Sequence, residues 1–232
     1  MNDPERIHYR FDLPDGSQRF LDFTFDATGF RLANPPPAAP PFWTALKFSQ
    51  CANCPLNEAE HPHCPAALQM VSAIEPLKAL VSFDKLGVTV RQAERTIYAE
   101  TTAQQAMSSV LGLIMATAGC PWTDRFRPMA RFHLPFASEA ETVYRSVCMF
   151  LLAREMGAVG AASGFGALRE LYENLHVVNR DMSRRLGAAT QTDPARNAMA
   201  LLDAYVTLLP AALETSLAEL KPLFDAWIRP AI

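Results

Sequence analysis

No part of this sequence stays apolar for long. The longest such run, Val110 to Ala118, is interrupted by Gly112 and Thr117 and is too short to cross a bilayer. The first ten residues, Met1 to Arg10, have neither a basic start nor an apolar stretch. That argues against a secretory leader and makes a cytoplasmic location the expectation. Charge of one sign is scarce too. With 21 Lys and Arg against 24 Asp and Glu, the net charge of -3 gives no general pull toward nucleic acid or an anionic membrane. The densest basic group, Arg180, Arg184 and Arg185, sits among Asp181 and Glu173 and reads as a solvated helix face. There is no phosphate loop, because the run 157–166 (GAVGAASGFG) lacks a following Lys-Ser/Thr and follows no clear strand. A Gly-x-Ser-x-Gly elbow and internal repeats are also missing. Glu173 and His176 make a Glu-x-x-His pair without a second one in the helical region. Di-iron bundle chemistry is therefore disfavoured, and His176 is expected at the edge of a helix interface.

Half the 232 residues are apolar, enough for a substantial core. Ile7, Tyr9 and Phe11 alternate with polar residues, as do Leu21, Phe23 and Phe25, and Pro14-Asp15-Gly16-Ser17 between them suits a tight reversal. Phe30 and Leu32 extend the pattern toward a third strand. The proline-rich run 34–41 cannot be helix interior or central strand and reads as a linker. A helix is expected from Pro65, with Pro76 bending it, and Val88, Val90, Thr96 and Tyr98 suggest a short hairpin. From Thr101 the spacing is helical. One helix carries Ala106, Val110, Leu113, Ile114 and Thr117 and stops at Gly119. A second opens on the capping-box spacing of Ser138 and Glu141 and buries Val143, Val147, Phe150, Leu151 and Met156. A third carries Leu168, Leu171, Leu175, Val178, Met182 and Leu186. A fourth runs to Pro210, and a fifth continues through Leu213, Leu217, Leu220 and Phe224.

These patterns predict an α+β protein: a small N-terminal antiparallel sheet and a bundle of about five helices. The expected organisation is a β region over 1–34, a linker and cysteine loop over 35–66, and a helical bundle over 67–232 with a hairpin insertion near 86–99.

Four of the five cysteines carry the chemistry. Cys51-Ala-Asn-Cys54 has the two-residue gap that lets a turn aim two thiolates at one tetrahedral centre. Cys64 follows in HPHCP, ahead of the helix at Pro65, where the positive end of the dipole favours thiolate. Cys120 follows Gly119 at a helix end, and each of Cys54, Cys64 and Cys120 precedes a proline that stiffens the approach. In a reducing compartment such a cluster points to metal rather than disulfides. Zinc is the first choice, since four thiolates close its coordination sphere and leave no open position for substrate. A 4Fe-4S cluster is the alternative, although the spacing matches neither common ferredoxin run. Ligation by His61 or His63 in place of Cys120 is a further variant, and a Cys51–Cys54 redox dithiol lacks a thioredoxin-like context. Cys148, between Val147 and Met149, is expected to be a buried core thiol.

The connection DRFRPMARFHLPF (124–136) holds a candidate anion-binding set: Arg127 and Arg131, with His133 as a polar partner or proton carrier. The plainer reading is that the arginines pair with Asp124 or brace the metal loop while His133 satisfies backbone groups. The runs FSQCANCPL, HPHCP, SSVLGLIMATAGCP, RPMARFHLPFA and LRELYENLHVVNR resemble an uncharacterised family of bacterial proteins with no assigned activity. The resemblance spans most of 45–225 and implies that both cysteine segments and the Arg-His loop belong to one constellation. The expectation is therefore a metal-binding interaction or regulatory protein rather than an enzyme. It would act through an unknown protein partner and form a homodimer, with no nucleic-acid or membrane partner.

Overall fold

Strand β1 (Glu5–Asp12) points Ile7, Tyr9 and Phe11 inward, each at most 3% exposed, and turns Arg6, His8 and Arg10 outward. That strict alternation is what a half-buried antiparallel strand requires. The computed structural model describes residues 5–157, 164–189 and 193–228, the side chains of 209–217 and 228 excepted. Leu13 and Gly16 close the first turn, with Leu13 N–H donating to Ser17 O (2.9 Å) and Gly16 at φ +79°. Strand β2 (Gln18–Phe25) returns antiparallel, setting Tyr9 opposite Leu21 and Ile7 opposite Phe23.

The hairpin near 86–99 is longer than expected and joins the N-terminal sheet. Strand β3 (Lys85–Arg91) pairs with β1, Tyr9 opposite Val90, and β4 (Thr96–Thr102) pairs with β3. The result is one four-stranded antiparallel sheet in the order β2-β1-β3-β4. The expected third strand at Phe30 and Leu32 is reduced to a single bridge between Phe25 and Leu32. Asp26 explains the difference, because its carboxylate accepts from the backbone N–H groups of Thr28, Gly29 and Arg31 (2.6–3.0 Å) and bends the chain out of the sheet. Those same amides hold the Asp26 carboxyl down at about 2. Phe30, at φ +52°, stacks on Phe25 at 4.2 Å, and Leu32 N–H then donates to Thr117 O at the end of a helix.

That helix, α2 (Ala103–Thr117), is the axis of the molecule. The five residues expected on its core face are buried, and so are Met107, Ser108, Leu111, Met115 and Ala116, so it is covered nearly all round. Gly119, at φ +88°, then turns the chain in the left-handed region that glycine enters without penalty. Helix α1 (Pro65–Ile74) packs beside it and ends one residue before Glu75, with Pro76 in a tight turn rather than a bend. A short α3 (Arg127–Arg131) leads to α4 (Glu139–Glu155), whose capping box forms: Glu141 N–H donates to Ser138 Oγ (3.3 Å) and Ser138 N–H to Glu141 Oε2 (2.7 Å).

Helix α4 departs from its expected face. Val143, Val147 and Phe150 are buried, but Leu151 and Met156 are exposed. Cys148 is exposed too, because it lies about 100° around the helix from Val147, off the Val143–Val147–Phe150 stripe. Helix α5 (Gly166–Ala189) follows, although most of the Gly157–Gly166 connection, 158–163, lies outside the described residues. The expected fourth and fifth helices are one, α6 (Pro194–Leu220), which runs on through Pro210; the side chains of Leu213 and Leu217 lie outside those described. A short α7 (Asp225–Ile228) closes the described chain. The sheet, α1, α2, α5 and α6 share one buried core, while the start of α5 and α4 share a smaller one. Among the described residues no helix is long and apolar enough to cross a membrane.

Candidate metal centre and the adjoining cavity

The four cysteines reach one region from three segments, each half-buried. Cys51 and Cys54 bracket a turn closed by Cys54 N–H donating to Cys51 O at 2.9 Å. Cys64 is the residue before α1, and its N–H donates to Thr44 O (2.8 Å). Cys120 follows Gly119 after α2. Trp122 ties that last segment to the turn, its indole N–H donating to Asn53 O at 2.7 Å. Asn53 in turn donates through Nδ2 to the Asn174 carbonyl and side chain on α5 (3.1 and 2.9 Å).

The thiols are close enough to act on one another electrostatically, though burial is the larger effect. Burial pushes the Cys51 thiol up to about 12, with smaller upward contributions from Cys64, Cys120, Asp181 and Cys54. Burial also raises Cys64 and Cys120 adds to it, while the Ala67 amide and Arg185 partly offset the rise. Among the described residues, however, no three or more His, Cys, Asp or Glu side chains are arranged as a ready metal cradle. His63 is engaged through Nδ1 with Thr44 Oγ1 (2.9 Å), and His61 is exposed.

Near the thiols lie two charged residues whose sequence context suggests a surface position. Asp181 and Arg185 on α5 are buried, at 4% and 2% exposure, and not part of a solvated face. The spacing explains it, since positions 178, 181, 182, 185 and 186 form one helical stripe with Val178, Met182 and Leu186. Arg185 donates to the carbonyl oxygens of Trp43, Ala45 (2.7 Å) and Leu46 (3.2 Å), and its guanidinium lies over Phe48. Asp181 accepts from Ala52 N–H (3.2 Å), inside the Cys51–Cys54 turn, and pairs with Arg180 and Arg184. The cysteine loop is thus pinned to α5 by a buried cation and a buried anion.

Arg127, Arg131 and His133 do not converge on a common anion. Arg127 donates to Gly29 O (2.8 Å) and Asp124 O (3.2 Å) and pairs with the Asp124 carboxylate. Arg131 pairs with Glu5 at 2.8 Å and lies over the rings of Phe30 and Phe132. His133 is buried at 7% exposure, its Nε2 meeting the Tyr9 hydroxyl at 2.5 Å, and the same hydroxyl lies 2.9 Å from Ser109 Oγ. His133 O accepts from Gln92 (2.9 Å). Burial, with Arg145 nearby, drops the His133 pKa to about 3, so the ring is neutral. His176, as expected, sits at a helix edge, with Nδ1 2.9 Å from Asp203 on α6.

His133 also lines an open-mouthed cavity of about 300 Å³ between α2, α3, α4, α5 and α6. Its walls include Leu113, Met115, Phe126, Met129, Leu175 and Leu202. The cavity and the residues Tyr9, Ser109 and Arg145 were not legible beforehand: each lies on a different element, and only the fold assembles them.

A family model for a domain of unknown function, DUF6901, matches residues 7–225. The chain belongs to that family. No curated protein matches the chain significantly, and no solved structure does. The match runs from β1 to α7, so sheet, cysteine loop and helices all fall within the family's domain.

Proposed function

We propose that Cys51, Cys54, Cys64 and Cys120 close around one metal ion, zinc in the first instance, which staples the cysteine loop to α1, α2 and α5. On this reading the FSQCANCPL, HPHCP and GCP segments are the family's metal-binding motifs. The convergence of the four thiols from three chain segments, with Cys51 sensing the other three, carries the reading. Supporting it is Arg185, placed beside Cys64, Cys51 and Cys54, where a cation offsets the excess negative charge of four thiolates around a divalent ion. Neutral thiols have no reason to adopt ligand geometry. On this reading metal binding deprotonates them, and rotation about each cysteine's χ1 would draw the sulfurs into ligand geometry.

A closed four-thiolate site has no position for substrate, so the role we propose is structural, in a cytoplasmic protein that acts by interaction or regulation rather than catalysis. Exposed apolar side chains such as Leu152, Met156, Leu223 and Trp227 support a protein partner or a homodimer. Anaerobic purification followed by elemental analysis is the test. About one zinc per chain in colourless protein supports the reading. Brown protein with broad visible absorption and about four irons per chain transfers the same cysteines to a 4Fe-4S cluster. If Cys64→Ser changes neither metal content nor thermal stability, the site is wrong.

A further inference from the structure

We infer that the cavity between α2, α3, α4, α5 and α6 is a binding site for a small amphipathic carboxylate, its chain in the apolar body and its head group between His133 and Arg145. At about 300 Å³ the cavity reaches the size of small-ligand sites. At about 30 Å³ per heavy atom, the share of one water in the liquid, it admits a ligand of about ten non-hydrogen atoms.

The chemistry at its polar end selects the ligand's charge. Of the described residues lining the cavity, Arg145 is the one that carries a formal charge, and no Asp, Glu or Lys lines it. Arg145 is held by Met129 O (2.6 Å) and Phe132 O (2.9 Å), and both bonds use Nη2. Among the described residues its Nε and Nη1 have no hydrogen-bond acceptor, so the three N–H groups on those two nitrogens remain for a ligand. His133 supplies a further donor. The Tyr9 hydroxyl stays protonated, since burial raises its pKa, and it bridges His133 Nε2 and Ser109 Oγ. When Tyr9 donates to Nε2, the neutral ring carries its proton on Nδ1, for which the described residues provide no acceptor. His133 is therefore a side chain more than nine-tenths buried that lines the cavity with an unpartnered polar atom. A carboxylate satisfies the Nδ1–H and the guanidinium together. Glu141 acts on Arg145 from outside the lining, so within the cavity an alcohol brings the cation no partner charge, and an ammonium is repelled by it.

Titration calorimetry on the intact chain, with octanoate, 1-octanol and octylammonium as probes of matched length, tests the site. Octanoate is expected to bind at least tenfold more tightly than 1-octanol, with no detectable octylammonium binding, and Arg145→Gln should remove most of that preference. Ala137→Phe, which fills the cavity from its α3–α4 edge, should weaken octanoate at least tenfold while leaving the circular dichroism spectrum intact. Equal binding of octanoate and octanol, no octanoate binding at millimolar concentration, or octanoate affinity unchanged in a folded Ala137→Phe variant would each overturn the assignment. The probe comparison on the unmodified chain decides the matter even if neither variant folds. Because it needs no metal, its failure is distinct from failure of the thiolate site.

Discussion

At the C-terminal end of α2, Cys120 shares a region with Cys51, Cys54 and Cys64, beside Arg185; a few turns earlier, the same helix presents Ser109 to a cavity shared with His133 and Arg145. Both places bury polar groups against one core, by opposite means. In the cysteine region burial, with smaller contributions from the neighbouring thiols, raises the Cys51 and Cys64 thiols, so they stay neutral beside the Arg185 cation. Around the cavity, Tyr9 bridges His133 Nε2 and Ser109 Oγ, while His133 Nδ1 and part of the Arg145 guanidinium keep no partner among the described residues. One region buries neutral thiols beside a cation, and the other sets a cation and a neutral imidazole at an apolar cavity. A protein can fold around both because α2 is buried along its length and holds each rigidly.

The contrast is broken most directly at the thiol end. On the proposed reading, removing the metal with a chelator, or making Cys64→Ser, should lower Tm by roughly 10 °C or more, because binding free energy at such a site is folding free energy. Differential scanning calorimetry with and without chelator checks it. Next comes Arg185→Met, which should cost about 3 kcal/mol or more by urea unfolding, since it strands the carbonyls of Trp43, Ala45 and Leu46. If Arg185→Met is neutral, the pinning of the cysteine loop does not rest on this cation.

The cavity end should show itself in pH dependence. His133 titrates near 6.5 when unfolded and at about 3 when folded, so between those values the unfolded chain binds the extra proton. Stability is therefore complete above about pH 7 and falls as pH drops through 6.5, by up to about 1.4 kcal/mol per unit. Urea titrations at pH 7 and pH 5 should lose that slope in His133→Gln. Smallest is Ser138→Ala, about 1 kcal/mol, through the cap of the helix that delivers Arg145. It should weaken the cavity region while leaving metal content untouched.

The sequence carried the α+β class, the first hairpin, the α2 face, the Ser138 cap and the later hairpin, because each is written in local periodicity or a local motif. It misled where tertiary context outweighs local pattern. Asp26 takes the chain out of the sheet at the point where Phe30 and Leu32 promised a strand. The proline at 210 does not end α6. Asp181 and Arg185 look like surface charges until their register with Val178 and Met182 is followed. The nearness of the cysteine segments was suggested by their spacing, because two-residue gaps have a chemical meaning; the metal itself stays a proposal. Tyr9, Ser109 and Arg145 were not legible, since residues on separate elements share no spacing.

Strand β1 is paired on both sides, yet its second partner, β3, lies some seventy to eighty positions downstream. As the chain leaves the ribosome, the β1–β2 hairpin can close early but is marginal by itself, with Tyr9, Phe11 and Phe23 open to water. It waits until β3 emerges to become an interior strand. Slow translation over residues 26–84 would prolong that wait and expose an adhesive edge to neighbouring nascent chains.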